Sequence, residues 1–122
     1  MNTLETTNQR IKISAAWYLR RHDFQILEEN WECKKGTIDI VAIDKNCLVI
    51  VEVTEATSED NAFMPETNIN AAYRAKWENL AFEYLASHEY SDMPLRFDTM
   101  EIKKIDEDRC MIKHHVNALG VA

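Results

Sequence analysis

The sequence predicts a small α/β domain, a mixed β-sheet flanked by helices, with its elements in the order α-β-β-β-α-β-β. Three observations carry that prediction. Residues 36–56, "GTIDIVAIDKNCLVIVEVTEA", form two apolar runs of strand length on either side of Lys45-Asn46. Two segments with apolar residues at helical spacing lie before and after the strand-like part of the chain. The 122 residues include only two Gly and two Pro, so few sharp breaks are available and most residues belong to regular elements. That length suits one domain, residues 1–122, with a single core.

The first helix is expected from about Thr7 to Arg21. Ile11, Ala15, Tyr18 and Leu19 share one of its faces, with Thr6, Thr7 or Asn8 as the cap. "FQILEENWEC" reads as a strand with a polar interruption at Glu28–Asn30. Thr37–Asp44 and Cys47–Thr54 are the next two strands, and "TSEDNAFMPETN" is a loop by its turn formers. From Ile69 to about His88, the residues Ala72, Tyr73, Trp77, Leu80, Ala81, Tyr84 and Leu85 keep helical spacing. "LRFDTMEIKKI" and "CMIKHHV" close the chain as strands around the acidic turn "DEDR". Alternation of helix and strand in this order favours a sheet with helices over a sandwich or a bundle.

The net charge is −7, which opposes non-specific binding to a phosphate backbone. The basic residues are nevertheless clustered. Arg10, Lys12, Arg20 and Arg21 come early, Lys34 and Lys35 form a pair, and Arg109, Lys113, His114 and His115 come late. A DNA or RNA surface is therefore expected only as local basic patches, against the alternative of solvated charged faces. No apolar run reaches the length of a membrane span and the polar N-terminus lacks the layout of a signal peptide, so the expectation is a cytoplasmic protein without a membrane partner. Cys33, Cys47 and Cys110 have no metal spacing and read as reduced residues of the core or a sheet edge. His22, His88, His114 and His115 have no dyad or zinc spacing and are expected at the surface or a strand edge. Trp17, Trp31 and Trp77 offer either base-stacking platforms or, for Trp77, core packing. Arg96 and Asp98 are two apart on a strand and are expected to form a structural ion pair.

The residues that carry chemistry are Asp39 and Glu52, two acids inside apolar strands. If Lys45-Asn46 is a two-residue hairpin loop, opposed residues sum to 91, so Asp39 faces Glu52 and Thr37 faces Thr54. Two opposed carboxylates destabilise a half-buried sheet unless something compensates. A Mg²⁺ or Mn²⁺ ion would do so, because hard divalent cations take carboxylate oxygens and polarise phosphodiesters. Protonation of one acid, backbone donors, or a basic side chain from a neighbouring helix would serve equally.

The block "FQILEENWECKKGTIDIVAIDKNCLVIVEVTEA" resembles the YraN-like bacterial family of uncharacterised proteins, which belongs to the restriction-endonuclease-like (PD-(D/E)xK) nuclease superfamily. The resemblance starts near "AAWYL" and continues through "NLAFEYLASH", "LRFDTMEI" and "HHVNAL". It implies a restriction-endonuclease-like three-layer fold. The family pattern carries an acid on the first helix, a Gly-Glu-Ile-Asp-Leu block and a Val-Glu-Val-Lys block. Its inferred active site is the Asp of the second block with the Glu and Lys of the third. Asp39 and Glu52 match that Asp and Glu, as metal ligands and catalytic residues. Thr54 stands where the family has Lys, Thr37 where it has Glu, and Lys12 where it has the helix acid.

A threonine hydroxyl cannot supply the charge of an ammonium to a phosphoryl transition state. The resemblance therefore implies a Mg-dependent phosphodiesterase site that is weakened or silent. Lys12 is left with two roles, a relocated catalytic lysine or a cation that pairs with Asp39 or Glu52 in place of the metal. The alternative is a catalytically inactive interaction or nucleic-acid-binding module without metal, with a homodimer among its arrangements.

Overall fold

The structure, a computed structural model, describes residues 3–56, 70–90 and 92–119. Its elements follow the expected order: α1 (Thr3–Arg21), β1 (Gln25–Cys33), β2 (Gly36–Asp44), β3 (Cys47–Glu55), α2 (Ala71–Ser87), β4 (Leu95–Lys104) and β5 (Cys110–His115). The five strands form one mixed sheet in the order β1-β2-β3-β4-β5. β3 and β4 are parallel and the other pairs antiparallel. Parallel neighbours need a crossover, and α2 lies within it.

Each face of the sheet carries one core. Ile11, Ala15, Ala16 and Leu19 of α1 pack with Ile40, Ala42, Val49, Val51, Val53, Met100 and Ile102. Trp77, Leu80, Ala81 and Tyr84 of α2 pack with Val41, Leu48 and Ile50 on the opposite face. β3 is apolar at successive positions because both of its faces are covered, as in a buried parallel strand.

The element ends differ from the sequence reading in three places. α1 begins at Thr3, upstream of the expected cap positions Thr6, Thr7 and Asn8. β1 runs without a break through Glu28–Asn30. The irregularity there is a register shift between Ile26 and Glu28, a bulge, followed by Asn30 at a φ of 56°. α2 is capped by Asn70, whose Oδ1 accepts the Tyr73 N–H at 2.9 Å. The expected loop at residues 57–68 lies outside the described residues.

The two-residue Lys45-Asn46 turn is as expected, with Lys45 taking a φ of 58°. Among the described residues, no helix is long and apolar enough to cross a membrane. Cys33, Cys47 and Cys110 are free, the first two partly buried and the third exposed at the start of the edge strand β5.

Candidate functional site: two acids at a parting of strands

The hairpin register sums to 91 from Asp44–Cys47 to Ile40–Val51, and there the ladder ends. The expected opposition of Asp39 to Glu52, and of Thr37 to Thr54, does not form. Asp39 Oδ2 instead accepts the Val53 N–H at 2.8 Å, so a side chain takes the place of a strand carbonyl and β2 parts from β3. The alternation of faces breaks at the same point. Ile40 packs in the α1 core and Ile38 in the α2 core, although they are two residues apart.

The parting turns the Asp39 carboxylate toward α1. There the Lys12 ammonium lies 3.1 Å from Asp39 Oδ1 and donates to Asn30 Oδ1 at 2.6 Å. The Lys12 and Asp39 side chains are 22% and 16% exposed, so the pair is partly screened from water. Asn30 belongs to the polar interruption noted in the sequence, and binding this ammonium is what it does there.

Glu52 follows Leu48 and Ile50 onto the α2 face. The Tyr73 hydroxyl donates to Glu52 Oε1 in a short hydrogen bond. The Asn70 cap fixes the first turn of α2 and with it the backbone that carries this phenol. Burial pushes the Glu52 carboxyl above its ordinary pKa. The Tyr73 hydrogen bond and the Lys76 charge pull it back, and the charge of Asp39 raises it further. The Tyr73 hydroxyl is itself pushed up, first by burial and then by its bond to Glu52. Glu52 and Tyr73 form the polar end of a small cleft lined also by Trp77, Phe97, Thr99 and Leu119.

A family model described as "Uncharacterised protein family UPF0102" matches residues 13–102, which hold both acids and everything from β1 to β4 except the last two residues of that strand. The chain belongs to the UPF0102 family. A UPF0102 protein of Caldanaerobacter subterraneus subsp. tengcongensis is 35% identical over 106 residues, covering 85% of this chain and 86% of that protein. One from Geobacter metallireducens is 34% identical over 108 residues, covering 88% and 87%. One from Lachnoclostridium phytofermentans is 36% identical over 107 residues, covering 87% and 88%.

In this UPF0102 chain the two acids do not fit a divalent cation as they stand. Both Asp39 oxygens and one Glu52 oxygen already accept from Lys12, Val53 and Tyr73. The two carboxylates lean toward different helices. Among the described residues, no group of three His, Cys, Asp or Glu could hold a metal ion. Mg²⁺ demands near-octahedral oxygen ligation, and the Asp39 oxygens already carry the Lys12 ammonium and the Val53 N–H. Thr54 is half-buried opposite Glu101 of β4, and Thr37 is exposed opposite Glu32 of β1, so neither sits across from the other.

Two further polar groups, one on each face of the sheet, bear out the strand-edge placement of the late histidines and add their burial. His114 and His115 sit on an edge strand but are not surface residues, each side chain being only 8% exposed. His114 Nε2 lies 2.8 Å from Asp98 Oδ2, and His115 Nε2 lies 3.3 Å from Glu101 Oε1. Arg96 donates to both Asp98 oxygens at 2.9 and 3.0 Å and to Asp44 at 2.9 Å, forming the expected Arg96–Asp98 pair and extending it to the hairpin end. The Asn117 N–H adds a fourth bond to Asp98.

Sequence reasoning missed Asn30 and Tyr73 as members of the candidate site. The available signals were a polar residue in a strand and a phenol on the apolar face of a helix.

Proposed function

We propose that this UPF0102 chain is a nuclease-related nucleic-acid-binding protein of restriction-endonuclease-like ancestry, whose metal-dependent phosphodiesterase site is closed by an internal cation. It engages DNA or RNA without hydrolysing it. The observation that carries this reading is the Lys12 ammonium beside Asp39, at the point where β2 parts from β3. The element order and the placement of Asp39 and Glu52 on neighbouring strands support the ancestry. Thr54 in place of the motif lysine supports the loss of hydrolysis.

The test is a panel of single-stranded, duplex and branched oligonucleotides, assayed for binding at low salt and for cleavage with Mg²⁺ or Mn²⁺. Salt-sensitive binding without cleavage is expected. Thr54→Lys alone should remain inactive, and joined to Lys12→Glu it should gain metal-dependent cleavage. Absence of binding to every oligonucleotide at low salt would overturn the proposal.

A second reading rests on the same contact. A lysine 3.1 Å from Asp39 is close enough to orient an attacking water as a relocated catalytic lysine. Under it the wild-type protein cleaves, and both Asp39→Ala and Lys12→Ala abolish cleavage.

A further inference from the structure

The basic residues noted in the sequence have different surroundings in the fold. Lys12 turns inward to Asp39, His114 and His115 meet buried acids, and Arg109 pairs with Asp106 at 2.7 Å. Arg10, Arg20 and Arg21 remain exposed on the outer side of α1. Between them on the same side lie Ile13 and Trp17, which are 65% and 59% exposed. The spacing 10, 13, 17, 20, 21 is one helix face, opposite the buried Ile11, Ala15 and Leu19.

An exposed tryptophan is a costly surface residue, and this one has a cation beside its ring. The Arg21 guanidinium sits 4.9 Å from the centroid of the Trp17 ring, a cation–π contact on one side of the indole.

We infer that the outer face of α1 is a single-strand nucleic-acid site, in which an unpaired base stacks on Trp17 while Arg10 and Arg21 hold the flanking phosphates. The inference rests on the nucleic-acid reading above and specifies its surface and the form of the ligand. Charge complementarity selects a polyanion, because three arginines gather on this face in a chain of net charge −7. A flat aromatic between cations suits a base and its phosphates, since every base offers a π-face and stacking is tolerant of sequence. The face from Arg10 to Arg21 is about 16 Å long at 1.5 Å per residue, room for a few nucleotides. Arg20 contributes less, because Glu29 lies 3.5 Å from its guanidinium. Two apolar side chains are too little surface for a membrane or a stable protein interface.

The test measures binding of a fluorescent oligo-dT single strand and a duplex of equal length across a salt series, by fluorescence polarisation. Trp17→Ala should weaken the single strand about tenfold, within the range for one stacked base, and leave the duplex little changed. Arg10→Gln with Arg21→Gln should reduce the slope of log affinity against log salt by about 1.4. Lys34→Gln with Lys35→Gln, on the exposed β1–β2 turn, should leave single-strand affinity unchanged. Circular dichroism of each variant checks that the fold is kept, as expected for exposed positions. If the wild-type protein binds single strands and Trp17→Ala binds them equally, the inference is overturned and the nucleic-acid reading stands on another surface. If the wild-type protein binds no oligonucleotide, both fail. If Trp17→Ala instead converts a dimer to a monomer in sedimentation, the face is a protein interface and the inference is overturned.

Discussion

Asp98 and Glu52 lie on neighbouring strands, one residue apart in the parallel β3–β4 register, and they point to opposite faces of the sheet. Burial raises the pKa of both carboxyls, yet they end on opposite sides of the ordinary carboxylate range. At Asp98, the hydrogen bonds from His114, Arg96 and the Asn117 N–H outweigh burial and hold the carboxyl low. At Glu52, the Tyr73 bond and the more distant Lys76 do not, and the carboxyl stays high. The first acid ties three strands together: β4 through Arg96, β5 through His114, and the end of β2 through the Arg96–Asp44 pair. The second stands beside a gap in the ladder and at the mouth of a cleft. An acid with its charge matched on every side stabilises a fold, whereas an acid left under-compensated costs stability and is available for binding or chemistry.

The largest expected effect is at the matched acid. Asp98→Ala leaves the Arg96 guanidinium without its buried partner and should cost about 3–5 kcal/mol, measured by chemical denaturation. The pH dependence follows from the lowered folded pKa. The Asp98 contribution is fully present above the unfolded value of 3.8 and is lost as pH falls through the folded value below it. A loss under 1 kcal/mol at pH 7 would erase the contrast between the two acids.

Next in size is Lys12→Met, which keeps the apolar stem and removes the charge from Asp39 and Asn30. A loss of about 1.5 kcal/mol is expected, the low end for a bond to a charged group, because the pair is partly exposed. A double-mutant cycle with Asp39→Asn should show positive coupling, and additive losses would mean that the two side chains do not stabilise one another.

The smallest effect has the opposite sign. Glu52→Gln keeps an acceptor for Tyr73 and removes an ionisation that folding disfavours. The wild-type carboxyl has a raised folded pKa, so its favourable contribution is complete below the unfolded value of 4.5 and lost as pH rises through the folded value. The variant should therefore equal or exceed the wild type in thermal stability at pH 7, with the gain shrinking as pH falls toward 4.5. A clear destabilisation at pH 7 would mean that Glu52 is as well compensated as Asp98.

The architecture was legible because local pattern determines it. The unbroken apolar run of β3 reports burial on both faces, and the Lys45-Asn46 turn sets a register that holds for five pairs. Where the register stops was not legible. The ladder ends because the Asp39 carboxylate takes the Val53 N–H and faces an ammonium from a helix 27 positions earlier in the chain, and no turn chemistry encodes that. The burial of His114 is similarly non-local, arising from Tyr18 and Phe24 packed around its ring and from Asp98 across the strand pair. The pairing of Lys12 with an acid, by contrast, was among the alternatives that the charge at position 12 raised.

Under the proposed reading, Lys12 neutralises Asp39 in the place of a metal ion. Isothermal titration with Mn²⁺ of the wild type, Lys12→Ala and Lys12→Ala with Asp39→Ala tests it directly. No binding to the wild type is expected up to millimolar concentrations, with binding to Lys12→Ala and loss of that binding in the double variant. Submillimolar Mn²⁺ binding to the wild type that disappears with Asp39→Ala would contradict it.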